Sequence, residues 1–176
     1  SRWRGQLQHI LADPNKVAPV KHHPAVPYAE LPAFYQRINT VRGESARALQ
    51  FLILTAARSG EVRGMRWQEL DLATGLWQVP ADRMKSKKLH RVPLPAQALA
   101  MLQAQKRGDD DDYVFLSNRG GMLSDMALTA CMRRHYDSAV PHGFRSTFRD
   151  WAGECTGHPR DAVELCLAHA IDTKTE

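Results

Sequence analysis

The sequence predicts a mostly helical α+β domain that contains one small three-stranded antiparallel sheet. Apolar residues recur with helical spacing along successive segments, and one of these segments is apolar nearly all round. Three short strand-like segments follow one another in the middle of the chain, with turn residues between them. The 176 residues suffice for one well-cored domain and are too few for two large ones.

The amino-terminal part of the chain is predicted to lack a core of its own. Residues 1–27 combine prolines with lysines and histidines, which indicates a basic, mostly extended linker. Such a linker is either a solvated tail or a strap that lies along phosphates. A helix is then predicted over residues 28–39 and a second over residues 44–57. The apolar run at residues 49–54 is typical of a helix at the centre of a domain.

The middle of the chain carries the predicted sheet. Its strands cover residues 67–72, 76–79 and 89–94, and Thr74-Gly75 forms the turn between the first two. We interpret the acidic run at residues 109–112 as a solvated loop. Later helices are predicted over residues 96–105, 125–138, 143–155 and 160–169.

Charge and composition limit the class of protein. The net charge of +5 and the isoelectric point near 9.3 favour a polyanionic partner such as nucleic acid, although many basic proteins bind nothing acidic. Three cysteines without paired spacing suit a reducing cytosol better than a disulfide scaffold. No segment approaches the ~18 apolar residues of a membrane span, and no signal-peptide pattern is present. We therefore expect a cytoplasmic protein that binds no membrane.

A cationic cluster borders an apolar helix face near residue 145. His142 and Arg145 are three residues apart and Arg149 lies one turn further on, so a helix would hold them close together. The apolar positions of this helix form a stripe that is predicted to face the core: Phe144, Phe148, Trp151 and Cys155. Cations at the edge of a buried face indicate an anion site, and phosphate is the expected anion.

Three further residues are candidates for chemistry on that anion. Arg58 leaves a buried helix, and Glu61 one turn later supplies its counter-charge, although the pair is also explained as purely structural. Lys85 opens a basic hairpin tip, which is either solvated or laid beside a DNA phosphate, where a lysine can serve as general acid. His169 closes an amphipathic segment, a position at which histidine is more often structural than catalytic. The other histidines, His23 and His90 among them, have no partner that the sequence identifies.

A zinc site is a competing interpretation of the last part of the chain. Cys155-x2-His158 and Cys166-x2-His169 form two CxxH pairs, but only seven residues separate the pairs and Cys155 lies on the apolar stripe. The cysteines are therefore expected to fill core. The sequence also has no Gly-rich phosphate loop, no HExxH or GxSxG motif and no carboxylate cluster for magnesium. Phosphate chemistry would then proceed on side chains alone, without metal or cofactor.

Taken together, these segments resemble the catalytic domain of a tyrosine recombinase, the class that includes phage and genomic-island integrases. The resemblance covers nearly the whole chain, because five boxes occur in the family's order. They are the opening helix at Tyr28-Ala29-Glu30-Leu31-Pro32, the first arginine box at residues 55–61, the lysine hairpin at Met84-Lys85-Ser86-Lys87 before Val92-Pro93-Leu94, the H-x-x-R box at His142-Gly143-Phe144-Arg145, and the last histidine box at Leu167-Ala168-His169.

The resemblance implies how the site would hold DNA. Arg58 and Arg145 would clamp the non-bridging oxygens of the scissile phosphate, where charge builds up in the transition state. Glu61 matches the acidic position that supports the first arginine, and His169 would hydrogen-bond the phosphate. The remaining residues expected to contact DNA are Lys87, Lys88 and Arg149.

Proton transfer and nucleophilic attack complete the implied reaction. Lys85 would protonate the departing 5′ oxygen, and His142 would assist proton transfer around the nucleophile. The family's nucleophile is a tyrosine about nine residues beyond the last histidine, and it forms a 3′-phosphotyrosyl link with DNA. The tyrosines of this chain all precede the H-x-x-R box: Tyr28, Tyr35, Tyr113 and Tyr136. We therefore expect a domain truncated before its nucleophile, which holds DNA without cleaving it.

The implied partners are double-stranded DNA attachment sites in the bacterial nucleoid. The full-length protein is expected to act as a tetramer on DNA, with DNA-bending and excision-directing accessory proteins, whereas this chain alone is expected to be monomeric. Residues 1–27 would link the catalytic domain, residues 28–176, to amino-terminal DNA-binding domains. The alternative is a non-catalytic DNA-binding module that keeps the fold, binds in a strongly salt-dependent manner and forms no covalent product.

Overall fold

A computed structural model describes residues 23–84 and 86–169, and it confirms the predicted mostly helical class with a three-stranded antiparallel sheet. The helices are α1 (Leu31–Asn39), α2 (Glu44–Thr55), α3 (Ser59–Arg63), α4 (Ala96–Gln103), α5 (Ala127–Arg133), α6 (Phe144–Cys155) and α7 (Arg160–Cys166). The strands are β1 (Leu70–Asp71), β2 (Leu76–Val79) and β3 (His90–Pro93), and 3₁₀ turns cover Trp67–Glu69 and Pro141–Gly143.

Helix α2 is the centre of the helical core, as its apolar run predicts. Helices α1, α4 and α5 pack around it. Its central residues are fully enclosed: Ala48, Leu49, Phe51 and Leu52. The polar Gln50 is also buried, and its side-chain amide donates to the Ile38 carbonyl near the end of α1 at 3.1 Å. This packing fixes the carboxyl end of α2, which leads directly to Arg58.

The sheet is an antiparallel meander that packs on the helical core through buried apolar side chains, of which Trp77 is the largest. Trp77 of β2 pairs with Leu70 of β1 and with Val92 of β3. Its ring is fully buried, and its centroid lies 5.5 Å from that of Phe51 in α2. The indole nitrogen donates to the Glu69 carboxylate at 2.9 Å, so the buried polar atom has a partner.

Residues 23–27, here called the strap, pack against the start of α6. Val26 is fully buried, and its carbonyl accepts a hydrogen bond from Thr147 Oγ1 at 2.5 Å. The Pro24 carbonyl accepts from the backbone N–H of Val140 at 3.1 Å. A Cβ atom on Gly143 would meet the Pro24 carbonyl oxygen and would lie 2.7 Å from Ala25 Cα, so glycine permits this approach. The rest of the predicted linker, residues 1–22, lies outside the described residues.

Several predicted elements are shorter than the sequence pattern indicated. The first predicted strand, residues 67–72, begins as a 3₁₀ turn, and only Leu70–Asp71 pairs with β2. The helix predicted over residues 125–138 spans only Ala127–Arg133. The helix predicted over residues 160–169 ends at Cys166, because Ala168 adopts the left-handed conformation with φ 51°. His169 therefore follows the helix instead of closing it.

The predicted apolar stripe on α6 is wrong at its carboxyl-terminal end. Phe144 is buried, but Trp151 is 44% exposed and Cys155 is also exposed. The buried residues of α6 are Phe144, Arg145, Thr147 and Ala152. Trp151 lines a surface groove together with Tyr28 and Tyr35. In the described ranges, no helix has the length and apolarity that crossing a bilayer requires.

Candidate active site

Arg145 lies where the carboxyl ends of two helices meet. Its side chain is buried, with a relative exposure of 5%. Nη1 donates to the carbonyl of Ala56, the C-cap of α2, at 2.9 Å, and Nη2 donates to the carbonyl of Leu167, the C-cap of α7. Because helix carboxyl ends carry partial negative charge, these carbonyls offset part of the cost of burying the guanidinium. Burial, followed by the neighbouring Arg58, lowers the pKa of Arg145 to about 10, so this residue stays charged at neutral pH.

Two alanines in the left-handed region turn the chain into the site. Ala56 has φ 50° and ends α2, whereas Ala168 has φ 51° and follows α7. This conformation costs a residue other than glycine about 1–2 kcal/mol, and it persists where the surroundings fix it. The first turn releases the chain toward Arg58 and the second toward His169. The hydrogen bonds from Arg145 hold the backbone at or beside both turns.

Arg58 and Glu61 form the ion pair that their spacing predicts. Arg58 Nη1 donates to Glu61 Oε1 at 2.8 Å, and the backbone N–H of Arg58 donates to Oε2 at 2.9 Å. The carboxylate therefore caps α3 and also neutralises the arginine. Glu61 is 6% exposed and the Arg58 side chain 24%, so the carboxylate lies behind a partly accessible guanidinium. Arg83 also contacts Glu61, by donating to its backbone carbonyl.

His142 lies in the 3₁₀ turn Pro141–Gly143 and not on a regular α-helix shared with Arg145. The two residues remain close enough for the charge of Arg145 to lower the pKa of His142. The His142 ring packs edge-to-face on His23 of the strap, with ring centroids 4.5 Å apart. Partial burial lowers the pKa of His142, and His23, Arg145, Arg58 and His169 lower it further. The ring is therefore neutral near pH 7, the form that accepts a proton.

His169 turns back from the end of α7 toward Arg145. Its Nε2 lies 2.9 Å from Arg145 Nη2, and its Nδ1 lies 2.5 Å from Glu164 Oε2. The second carboxylate oxygen of Glu164 is 3.2 Å from Arg149 Nε. The hydrogen bond with His169 is the main cause that lowers the pKa of Glu164, and Arg149 contributes to the same shift. The sequence did not single out Glu164, because the helix ends between it and His169 and regular spacing no longer relates the two.

His90, the first residue of β3, is a further site residue that the sequence left without a partner. Burial lowers the pKa of His90; the charge of Glu61 opposes this shift, and the charges of Arg58 and Arg145 add to it. The Cys166 backbone at the end of α7 also opposes this shift, with the smallest effect. The signal that could have found it is strand alternation, because His90 shares a face of β3 with the buried Val92.

The predicted basic hairpin is only partly described. Lys85 lies outside the described residues, so its expected role as general acid stays a prediction. Lys87 and Lys88 are exposed in the connection between β2 and β3. Lys87 Nζ lies 3.4 Å from the Asp82 carbonyl within the same loop. Their expected contacts with DNA, and that of the 45% exposed Arg149, also stay predictions.

The two CxxH pairs do not converge. Among the described residues no group of three or more His, Cys, Asp or Glu side chains is arranged to hold a metal ion. His169 faces Arg145 and Glu164 instead. The expectation that the cysteines fill core is wrong for two of them: Cys131 is buried, whereas Cys155 and Cys166 are exposed.

The arrangement can bind a tetrahedral oxyanion. Arg58 and Arg145 are close enough for the charge of one to lower the pKa of the other, and His142 and His169 lie beside them. An anion with several acceptor oxygens would accept hydrogen bonds from both guanidinium groups and relieve their mutual repulsion. The neutral His142 beside them could take up a proton when the anion or an attacking group arrives.

Comparison with known proteins identifies relatives of this chain. Residues 26–176 match the phage integrase family. The integrase of Enterobacteria phage P4 is 32% identical over 171 residues, which are 85% of this chain and 39% of that integrase. Among solved structures, XerA recombinase superposes with a TM-score of 0.67 at 18% identity, over 93% of this chain and 62% of that one. A lambda integrase tetramer bound to a Holliday junction superposes with a TM-score of 0.64 at 18% identity, over 98% of this chain and 56% of the lambda chain.

These matches differ in what they establish. At 18% identity, XerA and lambda integrase share the fold with this chain. The chain spans about two fifths of the length of the curated relatives that it matches.

Proposed function

Because this chain belongs to the phage integrase family, we propose that it is the catalytic domain of a site-specific recombinase that integrates or excises a prophage or genomic island. In the proposed reaction, a tyrosine of the longer protein attacks a DNA phosphate, forms a 3′-phosphotyrosyl bond and releases the 5′ oxygen as a hydroxyl. The 5′ hydroxyl of a second strand then attacks that bond, restores a DNA phosphodiester and releases the tyrosine. Each step exchanges one phosphate ester for another.

The convergence of Arg58, Arg145 and His169 is the observation that carries this proposal. Arg145 is held between backbone carbonyls and a ring nitrogen of His169, and in the described structure it makes no hydrogen bond to a carboxylate. Its charge is therefore not paired directly with a carboxylate and is available to a ligand, while Glu61 and Glu164 act on it from a distance. Arg58 is neutralised from behind by Glu61 and presents a partly exposed guanidinium. Two arginines arranged in this way suit the non-bridging oxygens of a phosphate whose charge increases in the transition state.

The remaining roles follow from protonation state and position. We infer that the neutral His142 assists transfer of the proton that the attacking tyrosine gives up. Lys85 would deliver a proton to the departing 5′ oxygen. His169 would support the phosphate beside Arg145, while Lys87, Lys88 and Arg149 would contact the DNA backbone.

The proposed partner is double-stranded DNA that carries the attachment site. A lambda integrase with the same fold forms a tetramer on a Holliday junction, and we propose the same assembly for the full-length protein. Accessory proteins that bend DNA or direct excision would act on this assembly in the bacterial nucleoid.

A covalent-adduct assay tests the proposal. The longer protein, with its amino-terminal domains and the residues beyond 176, would be mixed with nicked duplex DNA from the ends of the genetic element that encodes it. We expect a DNA-linked protein on a denaturing gel. Arg58→Lys should slow its formation about 10²–10³-fold, because lysine keeps the charge but loses the planar fork. Arg47→Lys is the matched control, since Arg47 is an exposed residue on α2 and should react normally.

The outcome separates two classes of protein. Arg58→Lys should change DNA affinity only a few-fold, because most of the affinity comes from other phosphate contacts. If the longer protein binds its site in a salt-dependent manner but never forms the adduct, the chain is a non-catalytic DNA-binding module and the enzyme proposal fails.

A further inference from the structure

Glu164 and Arg145 together leave His169 only one neutral protonation state. An ionised carboxylate can only accept hydrogen bonds, and a guanidinium can only donate them. His169 Nδ1, 2.5 Å from Glu164 Oε2, must therefore carry the proton, and Nε2, 2.9 Å from Arg145 Nη2, must present its lone pair. In the opposite tautomer, Nε2–H would face the N–H donors of Arg145, and the lone pair of Nδ1 would face the carboxylate of Glu164. Partner chemistry, and not ring geometry alone, selects the Nδ1–H form.

We propose that Glu164 is a positioning residue that holds His169 in the Nδ1–H tautomer, so that Nε2 faces Arg145 and orients its guanidinium toward the anion. The anion is the DNA phosphate of the proposed function. The inference depends on that function only for the identity of the anion. Glu164 makes no hydrogen bond to Arg145; its partners are His169 and Arg149. It acts on Arg145 through the His169 ring.

The surroundings of Glu164 are built for this task. Its side chain is 16% exposed, and each of its oxygens has its own partner, His169 on one side and Arg149 on the other. The depressed pKa of Glu164 keeps the carboxylate ionised at neutral pH. Glu164 lies on α7, and His169 reaches it only because the left-handed Ala168 reverses the chain after the helix. In a Ser-His-Asp triad, a carboxylate fixes the histidine tautomer in the same way. Its replacement by an amide lowers kcat about 10⁴-fold.

The tautomer can be measured on the chain as it stands. Long-range ¹H–¹⁵N correlation spectra of ¹⁵N-histidine-labelled protein at pH 8 distinguish a protonated from an unprotonated ring nitrogen. We expect His169 to show a protonated Nδ1 and an unprotonated Nε2. In Glu164→Ala the ring loses the carboxylate that anchors Nδ1 and can turn away from Arg145, so it should shift toward the Nε2–H form, which is usual for free histidine. A ring that is already Nε2–H in the unaltered chain overturns the proposal.

Two controls separate this effect from loss of charge or of packing. Arg149→Gln removes the other partner of Glu164 and should leave the tautomer of His169 unchanged. Asp161→Asn removes one exposed charge from the same helix and should also leave it unchanged. If Glu164→Ala does not fold, as judged by circular dichroism, Glu164→Gln keeps the shape of the side chain. Its amide can either accept from or donate to Nδ1, so a mixture of tautomers is expected.

The functional test uses the longer protein in the covalent-adduct assay. Glu164→Ala should lower the rate of adduct formation at saturating DNA about 10–100-fold, the range typical of residues that orient a catalytic group, and should change DNA affinity less than about three-fold. Asp161→Asn should match the unaltered protein. An unchanged tautomer in Glu164→Ala, or a changed tautomer with an unchanged rate, contradicts the positioning role. Because the spectra need no reaction, they test Glu164 even if the longer protein forms no adduct.

Discussion

At the scale of single residues, the two arginines of the site are balanced in different ways. Arg58 has a carboxylate, Glu61, that neutralises it from behind. Arg145 has two helix-end carbonyls and a ring nitrogen, which carry only partial negative charge. The first arginine is therefore held in place as part of an ion pair, whereas the second keeps net positive charge in a buried position. An arriving phosphate would gain most from Arg145, where water screens the interaction least.

Removal of the Glu61 carboxylate should destabilise the chain. Glu61→Ala deletes the cap of α3 and leaves Arg58 without its counter-charge. We expect a loss of about 1–3 kcal/mol in the free energy of unfolding, which is less than for a fully buried pair because Arg58 is partly solvated. Urea unfolding followed by circular dichroism measures it.

The exposed ion pair between Arg107 and Asp110 provides a control with the same spacing. These side chains are 55% and 72% exposed, so Asp110→Ala should cost at most about 1 kcal/mol. If Glu61→Ala and Asp110→Ala lower the free energy of unfolding equally, the Glu61 carboxylate stabilises the chain no more than a surface charge does.

The sequence predicts a site residue correctly where that residue belongs to a local motif. The spacing of Arg58 and Glu61 within one turn predicts their ion pair, and the structure contains it. Glu164 and His90 could not be found in the same way. Glu164 meets His169 only because a left-handed alanine redirects the chain, and His90 comes near the charges of Arg58 and Arg145 only through the placement of β3 in the fold. Both contacts depend on tertiary structure, which local spacing does not encode.

At the scale of elements, the strap and α6 form one structural unit. The strap carbonyls of Pro24 and Val26 accept hydrogen bonds from Val140 and Thr147, on either side of the H-x-x-R box. Gly143 lies between these contacts and allows the two backbones to approach. His23 at the start of the strap packs edge-to-face on His142. Movement of the strap is therefore transmitted directly to a residue of the candidate site.

The substitution Gly143→Ala should weaken the packing of the strap against α6. In Gly143→Ala, the added Cβ would meet backbone atoms of Pro24 and Ala25, which cannot rotate away as a side chain can. We expect a destabilisation of about 1–3 kcal/mol, typical of overpacking, together with faster amide exchange at Val140 and loss of the contact between His23 and His142. Chemical denaturation and hydrogen-exchange NMR measure these effects.

Gly153 provides the matched substitution on the same helix. A Cβ at residue 153 would meet nothing within 4 Å, so Gly153→Ala should stabilise α6 by about 0.5–1 kcal/mol through helix propensity. If both alanine variants are equally stable, the close approach at Gly143 does not constrain the strap.

At the scale of the whole molecule, hydrophobic periodicity predicted the class and the central helix correctly. It could not predict where burial stops along a helix. The aromatic stripe of α6 continues past the core, and Trp151 lines a surface groove, because periodicity reports a preferred face and not what covers it. The ends of α5 and α7 were also misplaced, since helix ends depend on capping and on left-handed residues such as Ala168.

The stability of the folded chain should fall as the pH drops below about 6.5, the usual pKa of histidine in unfolded chains. The pKa values of His90 and His142 are both lowered in the folded state, chiefly by burial. Between the folded and unfolded pKa values, the unfolded chain binds protons that the folded chain does not, so the free energy of unfolding decreases as pH falls. His90 should contribute at most about 1.4 kcal/mol per pH unit, and the more exposed His142 less. Glu164 acts at lower pH, because its stabilising effect is lost only as the pH falls below about 4.3 and its carboxylate protonates.

Urea unfolding midpoints between pH 8 and pH 5.5 test this pH dependence. The double variant His90→Gln/His142→Gln should show a flatter profile, since its two positions no longer titrate. His158→Gln is the control, because His158 is exposed and should leave the slope unchanged. A double variant with the slope of the unaltered chain would place the pH sensitivity elsewhere. Inorganic phosphate at millimolar concentration should reduce the loss of unfolding free energy at low pH in the unaltered chain, because a bound anion stabilises the protonated His142. The effect of phosphate should be smaller in the double variant.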